Sequence, residues 1–148
     1  MPMLRLLTQA GWKHNIAGIE EATRGLAGLG PGLTPSGDDV LGGFAAVMAL
    51  LSPQLSADSI SRKHIASTIA AVAKPRTAKL SAVLLEYASR GEVSEQFGTL
   101  LLILSYPVEA SETILDAADR VLAFGASSGG DTLLGMLLGL RALEGEID

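Results

Sequence analysis

The sequence predicts an all-α protein of about seven helices, packed around two buried apolar helices that are each entered through a Gly/Ser/Asp loop. Three observations lead there. No stretch sustains the period-2 alternation of a half-buried strand, whereas apolar residues recur at three- and four-residue spacing through most of the chain. Hydrophobic residues make up 48% of the composition and aromatics only 4%, so the core must be Leu, Ala, Val and Ile, which suits close helix packing. Residues 40–51 carry no charge on any face, so their helix is expected to be buried all round. The 148 residues are most simply one all-α domain, large enough for a real core.

Taken in order, Leu4, Leu6 and Leu7 form an apolar lead-in of no assigned type. From residue 12 to about 27, Ile16, Ile19 and Leu26 alternate with Glu20, Glu21 and Arg24, an amphipathic helix stopped by Gly28 and Gly30. Four glycines and two prolines in residues 28–37 then make a tight loop whose N–H groups can face a ligand. Ser36 is expected as an N-cap, with Asp39 three residues on completing a capping box, so the first buried helix would begin at Gly37 or Asp38. Ser52-Pro53 breaks the pattern.

Asp58 or Ser59 caps a third helix through Ala73, with Ile60, Ile65, Ile69 and Val72 inside and Arg62 and Lys63 outside. Pro75 interrupts it. Residues 76–89 read as a fourth helix with Leu80, Val83, Leu84 and Tyr87 inward, closed by Gly91. Residues 94–104 make a fifth, with Phe97, Leu100, Leu101 and Leu104 inward, before Pro107. A sixth, from about 109 to 123, is expected to bury Ile114, Leu115, Ala118, Val121 and Leu122, with Asp116, Asp119 and Arg120 in water. The second apolar helix ends the chain. Gly42, Gly43, Gly135 and Gly139 each cost about 1 kcal/mol relative to Ala in a helix, a cost offset if the two apolar helices approach closely there. Gly135 and Gly139 are read as packing residues.

Several function classes are disfavoured. A net charge of −5 without a basic run argues against a nucleic-acid surface. With no cysteine there is neither a disulfide nor a thiolate metal site. The start of the chain lacks a signal-peptide pattern, and the apolar helices run about 12 residues against the ~20 needed to span a bilayer. The expectation is a soluble, cytoplasmic protein without membrane association.

The chemistry gathers at the two helix starts. Residues 28–51 and 125–143 both run from glycine and serine through aspartate into an apolar helix. Gly37-Asp38 can be set on Gly130-Asp131, or, one residue along, Ser36-Gly37 on Ser128-Gly129 with Asp39 on Asp131. Both registers give several identities, so the counterpart of Asp131 stays open between Asp38 and Asp39. Acids in a first helical turn are favoured by the macrodipole without any function. Two adjacent acids before an uncharged helix are poorly explained that way. With the hydroxyls of Thr34, Ser36, Ser127 and Ser128, the three carboxylates are hard oxygen ligands suited to Mg²⁺ or Ca²⁺. The competing reading is an anion held by loop N–H groups, which needs a cation nearby: Arg76, beside Thr77 after Pro75, is the best placed, ahead of Lys79 and Arg24. His14 and His64 lack metal-ligand spacing and read as surface or capping residues. Ser36 has no preceding strand or nearby histidine base, so capping explains it better than nucleophilic catalysis.

GLTPSGDDVLGGF resembles the signature of the AllH family, and PRTAKLSAVLLEYASRGE and GASSGGDTLLGMLLGL are similar to that family's later blocks. The three blocks cover most of the chain from Gly28 onward and match mainly the C-terminal half of longer members. The resemblance implies a subunit associated with oxamate carbamoyltransferase in allantoin and purine breakdown, interconverting oxalurate plus phosphate with oxamate plus carbamoyl phosphate. By motif it implicates Gly32, Thr34, Ser36, Gly37, Asp38 and Asp39, then Arg76 and Thr77, then Ser128 and Asp131. GGDTLLGMLLGLRAL is also similar to the C-terminal metal-binding block of ADP-ribosylglycohydrolases, although Leu133 follows Thr132 where their second acid would stand.

The leading expectation is therefore a carbamoyltransferase-type subunit binding a small anionic substrate, with Mg²⁺ as its candidate ion and no organic cofactor. Asp38, Asp39 and Asp131 are its candidate catalytic or metal-binding acids. Gly32, Thr34, Ser36, Gly37, Arg76, Thr77 and Ser128 are its candidate substrate contacts. Other subunits of the complex, or copies of this chain, are its expected partners. The alternatives are a Mg²⁺-dependent ADP-ribosylglycohydrolase-like hydrolase and a non-catalytic ligand-binding partner.

Overall fold

The computed structural model describes residues 1–51, 59–105 and 111–145. Among these the chain is all helical, with eight α-helices and no strand. They are α1 (Pro2–Trp12), α2 (Ile16–Leu26), α3 (Ser36–Leu50), α4 (Ser59–Ala73), α5 (Lys79–Ser89), α6 (Glu95–Ser105), α7 (Ser111–Leu122) and α8 (Ser128–Glu144), with a 3₁₀ turn (Lys74–Arg76) before α5. The expected breaks at Ser52-Pro53 and Pro107 and the cap at Asp58 lie outside the described residues. Among the described residues no helix is long and apolar enough to cross a membrane.

α3 is the axis of the fold. One side joins a core with Leu7 of α1, Ile19 and Leu26 of α2, Ile65 and Ile69 of α4 and Leu85 of α5, into which Leu41, Phe44 and Met48 pack. The other side, through Ala46 and Val47, joins a second core with Phe97, Leu100 and Leu101 of α6, Val121 of α7 and Met136 of α8. Beyond its acidic first turn, a helix between two cores has little face left for water, which explains why residues 40–51 carry no charge. Each fully buried large side chain contributes about 1.5–3 kcal/mol of transfer free energy.

Local signals set the boundaries. Asn15 caps α2, its side chain accepting from the Gly18 N–H at 3.2 Å. The Ser94 hydroxyl does the same for α6, accepting from the Phe97 N–H at 3.3 Å. Gly91, with φ of 78°, closes α5 as expected: the Glu92 N–H donates to the Tyr87 carbonyl at 3.0 Å and the Gly91 N–H to the Ala88 carbonyl at 2.9 Å.

Several expectations are corrected. The unassigned lead-in is α1, an eighth helix with Leu7 fully buried. α2 starts at Ile16 rather than Trp12 because Asn15 caps it. Ser36 is the first residue of α3 and makes no capping bond; Pro35 stands at the N-cap. On α4, Ile60 is exposed and Arg62 is buried, reversing their expected sides. α5 begins at Lys79 and faces inward through Ser81, Leu85 and Ala88, so Leu80, Val83, Leu84 and Tyr87 are all exposed. On α6, Leu104 lies at the exposed margin; on α7, Leu115 and Leu122 face out while Ala117 is buried. α8 is apolar but one-sided, with Leu134 and Leu137 exposed. Three- and four-residue spacing marks an apolar stripe without saying which neighbour will cover it. Small inward residues such as Ala88 and Ala117 permit close approach in place of the larger ones.

Candidate functional site

The site is built by the contact between α3 and α8, the most extensive helix pair in the molecule. A Cβ at Gly43 would overlap the Thr132 carbonyl oxygen, and one at Gly135 would overlap the Val40 carbonyl oxygen. The two contacts are reciprocal: the same two positions meet from each helix, as across a local two-fold axis. This alignment sets Ser36 on Ser128, Gly37 on Gly129 and Asp39 on Asp131, deciding between the two registers left open by the sequence.

The entering loops repeat the device. Gly37 packs against the Leu26 carbonyl and donates its N–H to Leu29 O at 2.9 Å. Gly129 packs against the Val121 carbonyl and donates to Phe124 O at 2.9 Å. The helix starts are brought face to face, and the Thr34 and Ser128 hydroxyls share a hydrogen bond at 3.3 Å.

The three aspartates have different surroundings. Asp38 is 2% exposed and both its oxygens are occupied. Its Oδ1 accepts from the Gly28 N–H at 2.9 Å; its Oδ2 accepts from the Ser81 hydroxyl at 2.7 Å and from the Thr77 hydroxyl. Asp38 thus ties the first loop to the start of α5. Asp39 and Asp131 each keep a buried Oδ2 with no hydrogen-bond partner. Burial pushes the Asp39 carboxyl up from the usual 3.8 to about 6; the Ser128 hydroxyl bonded to it opposes the rise, and the charges of Asp131 and Asp38 add to it.

Beside these groups lies a cavity of about 840 Å³. Thr34, Asp39 and Ser128 are among its polar lining residues, and Leu84 and Tyr87 of α5 with Val121 and Phe124 are among its apolar ones. Its acidic lining residues are Asp38, Asp39 and Glu92. All eleven Lys and Arg residues fall within the described segments, and none lines it. Arg24 pairs with Glu20 at 2.7 Å, and Arg76 donates to the Val72 carbonyl at 3.3 Å. Arg90 pairs with Glu86 and Glu92, both at 3.1 Å, and sits 5.0 Å from the Tyr87 ring centre. Lys79 is exposed on α5.

The structure therefore gathers Thr34, Asp38, Asp39 and Ser128 on one cavity, with Asp131 close behind. Thr77 belongs to the Asp38 cluster. Gly32, with φ of 90°, is exposed with open space around it, and Arg76 is exposed on the 3₁₀ turn. His14, with φ of 51°, follows α1, and His64 is exposed on α4. Among the described residues, no group of three or more His, Asp or Glu side chains is placed to hold a metal ion. Ser81, Glu92 and Phe124 escaped the sequence reading, and Tyr87 entered it only as an inward-facing core residue. Only Phe124, next to the second glycine loop, carried a signal of position.

The AllH family model, described as oxamate carbamoyltransferase subunit AllH, matches residues 26–140. The chain belongs to the AllH family. The matched span runs from the end of α2 into α8 and so includes both helix starts, α5 and the whole cavity lining. No solved structure matches the chain.

Proposed function

We propose that this chain serves an oxamate carbamoyltransferase as the subunit carrying Asp39, and that Asp39 handles the proton moved in carbamoyl transfer. The observation that carries the reading is the Asp39 carboxyl itself. It lines the cavity beside the Ser128 hydroxyl, and burial pushes its pKa to about 6. A base acting near neutral pH works best with a pKa close to that pH.

In the synthetic direction the amide nitrogen of oxamate attacks the carbonyl carbon of carbamoyl phosphate. The new C–N bond forms, the C–O bond to phosphate breaks, and the proton leaving nitrogen passes to Asp39. In the reverse direction protonated Asp39 returns it to the departing nitrogen as phosphate attacks the carbamoyl carbon. Thr34 and Ser128, joined to each other, orient the substrate amide groups. No covalent nucleophile is required, because positioning and charge stabilisation supply most of the rate in such transfers. Asp131, across the pseudo-two-fold axis, keeps Asp39 basic through its charge, and Asp38 holds the loop in place.

The test is carbamoyl transfer between carbamoyl phosphate and oxamate, measured on the assembled enzyme with and without Mg²⁺. Asp39→Asn should lower kcat by about 10²–10⁴-fold and remove the limb of the pH profile near 6. An unchanged kcat would refute the role of Asp39. Mg²⁺ is included because a cation beside Asp39 and Asp131 would offset their repulsion of an anionic substrate.

A further inference from the structure

Gly42, Gly43, Gly135 and Gly139 all weaken the helices that carry them, and for three of them the contact between α3 and α8 is the reason. A Cβ at Gly43 or Gly135 would strike the backbone of the other helix, and one at Gly139 would stand 2.9 Å from Val47 Cβ. Gly42 has no such neighbour. Beyond its own helix backbone, a Cβ there would meet only Leu85 Cδ2, at 3.8 Å. Gly42 lines the cavity, and Asp39, three residues earlier, is its neighbour on the same face of α3. A helix glycine that no packing contact requires, facing the cavity beside Asp39, leaves its space to a ligand.

The cavity suits a ligand with an apolar body. Its volume of about 840 Å³ lies in the range of pockets for drug-sized ligands, about 300–1,000 Å³, and is more than oxamate fills. Leu84, Leu85, Ala88, Phe97 and Phe124 are among its lining residues, whereas no Lys, Arg or His is. Several of its polar side chains are already engaged: Ser81 with Asp38, Ser94 with the start of α6, and Glu92 with Arg90. Thr34 and Ser128 share a hydrogen bond, and Ser128 is bonded to Asp39. An amide NH₂ suits these three groups because it donates to a carboxylate without bringing a charge of its own. A carboxylate on the apolar end of the ligand would find no cation to meet.

We propose that the cavity accepts, besides oxamate, a primary amide carrying an apolar group, and that Gly42 is the residue that makes room for that group. The amide end lies at Asp39 and Ser128, and the apolar end passes over Gly42 toward Leu85 and Phe97. As a carbamoyl acceptor, its nitrogen forms the new C–N bond to the carbamoyl carbon of carbamoyl phosphate. The C–O bond to phosphate breaks, and the proton leaving nitrogen passes to Asp39, giving an acylurea and phosphate. This inference rests on reading Asp39 as the proton acceptor of a carbamoyl transfer, and extends the acceptor class.

NMR titration of the full chain with phenylacetamide, acetamide and phenylacetate tests it. Phenylacetamide should bind at least about 10-fold more tightly than either of the others, and the Gly42 amide signal should shift with it. Gly42→Leu should erase the advantage of the phenyl group by filling its place. Gly42→Ala adds a single methyl; it should reduce that advantage by less, and it stands in should the leucine variant fail to fold. Equal affinity for the two amides, no binding of phenylacetamide at millimolar concentration, tighter binding of phenylacetate, or an advantage untouched by the folded variants would overturn the proposal. So would an assembled enzyme that carbamoylates oxamate but not phenylacetamide. Transfer to oxamate that depends on Asp39, with no phenyl advantage in binding, would sink this inference alone. A phenyl advantage erased by Gly42→Leu, with oxamate transfer indifferent to Asp39→Asn, would sink the proton-acceptor reading and leave the amide subsite standing.

Discussion

Asp39 and Asp131 occupy the same position in two repeated helix starts, and each leaves its Oδ2 buried without a hydrogen-bond partner. An unsatisfied buried acceptor costs about 1–3 kcal/mol. Asp38, one residue away, shows that this fold can fully satisfy a carboxylate at the start of α3. The unsatisfied pair therefore marks the place where local stability is given up, as is common at functional sites.

That cost should be visible in the pH dependence of stability. The Asp39 carboxyl titrates near 3.8 in the unfolded chain and near 6 in the folded one. The folded state binds its proton more tightly, so stability falls as pH rises through that window, and the full cost is present above about 6. Asp39→Asn removes the charge. It is expected to stabilise the protein at pH 7.5 by about 1 kcal/mol, after discounting for partial solvent screening, with the gain vanishing near pH 3.5. Urea unfolding at the two pH values checks this, and equal destabilisation at both would contradict it.

Truncating Asp38 should destabilise the protein. Asp38→Ala strands the Gly28 N–H and the Thr77 and Ser81 hydroxyls, at an expected cost of about 3 kcal/mol. Thr77→Val should lose about 1 kcal/mol, and less in the Asp38→Ala background, because the two residues share one network. A double-mutant cycle by chemical denaturation measures the coupling. Strict additivity would remove Asp38 from its role as the tie between loop and α5.

Adjacent glycines on α3 offer an internal control. A Cβ at Gly43 meets the backbone of α8, whereas one at Gly42 meets only Leu85 Cδ2 at 3.8 Å. Gly43→Ala is expected to destabilise by about 1–3 kcal/mol or more through forced helix separation. Gly42→Ala should be neutral or gain up to ~1 kcal/mol from helix propensity. Thermal unfolding of the pair distinguishes them, and similar melting temperatures would mean that α3 and α8 are not held this closely.

The orientation of α5 is testable with neighbouring leucines. Leu85 is 2% exposed and Leu84 47%. Leu85→Ala should cost about 2–5 kcal/mol as a core truncation, whereas Leu84→Ser should change stability by under about 0.5 kcal/mol. Equal losses in the isolated chain would show that Leu84 is already covered.

The sequence by itself determined the helical class, the uncharged central helix and the two Gly/Ser/Asp starts, because these depend on periodicity, charge and turn chemistry within a few residues. It also brought Thr34, Asp38, Asp39, Ser128 and Asp131 forward as candidates. Only the tertiary structure decided that Asp39, rather than Asp38, is the partner of Asp131. The deciding contacts, Gly43 on Thr132 and Gly135 on Val40, join residues far apart in the chain. The same holds for α5, where Leu80, Val83, Leu84 and Tyr87 follow a regular helical spacing yet face outward. A stripe is a property of one helix, but burial depends on which surface another helix offers to cover it. Ser81, Leu85 and Ala88 face inward because Asp38 draws the start of α5 onto the first loop, and no local pattern of residues records that bond.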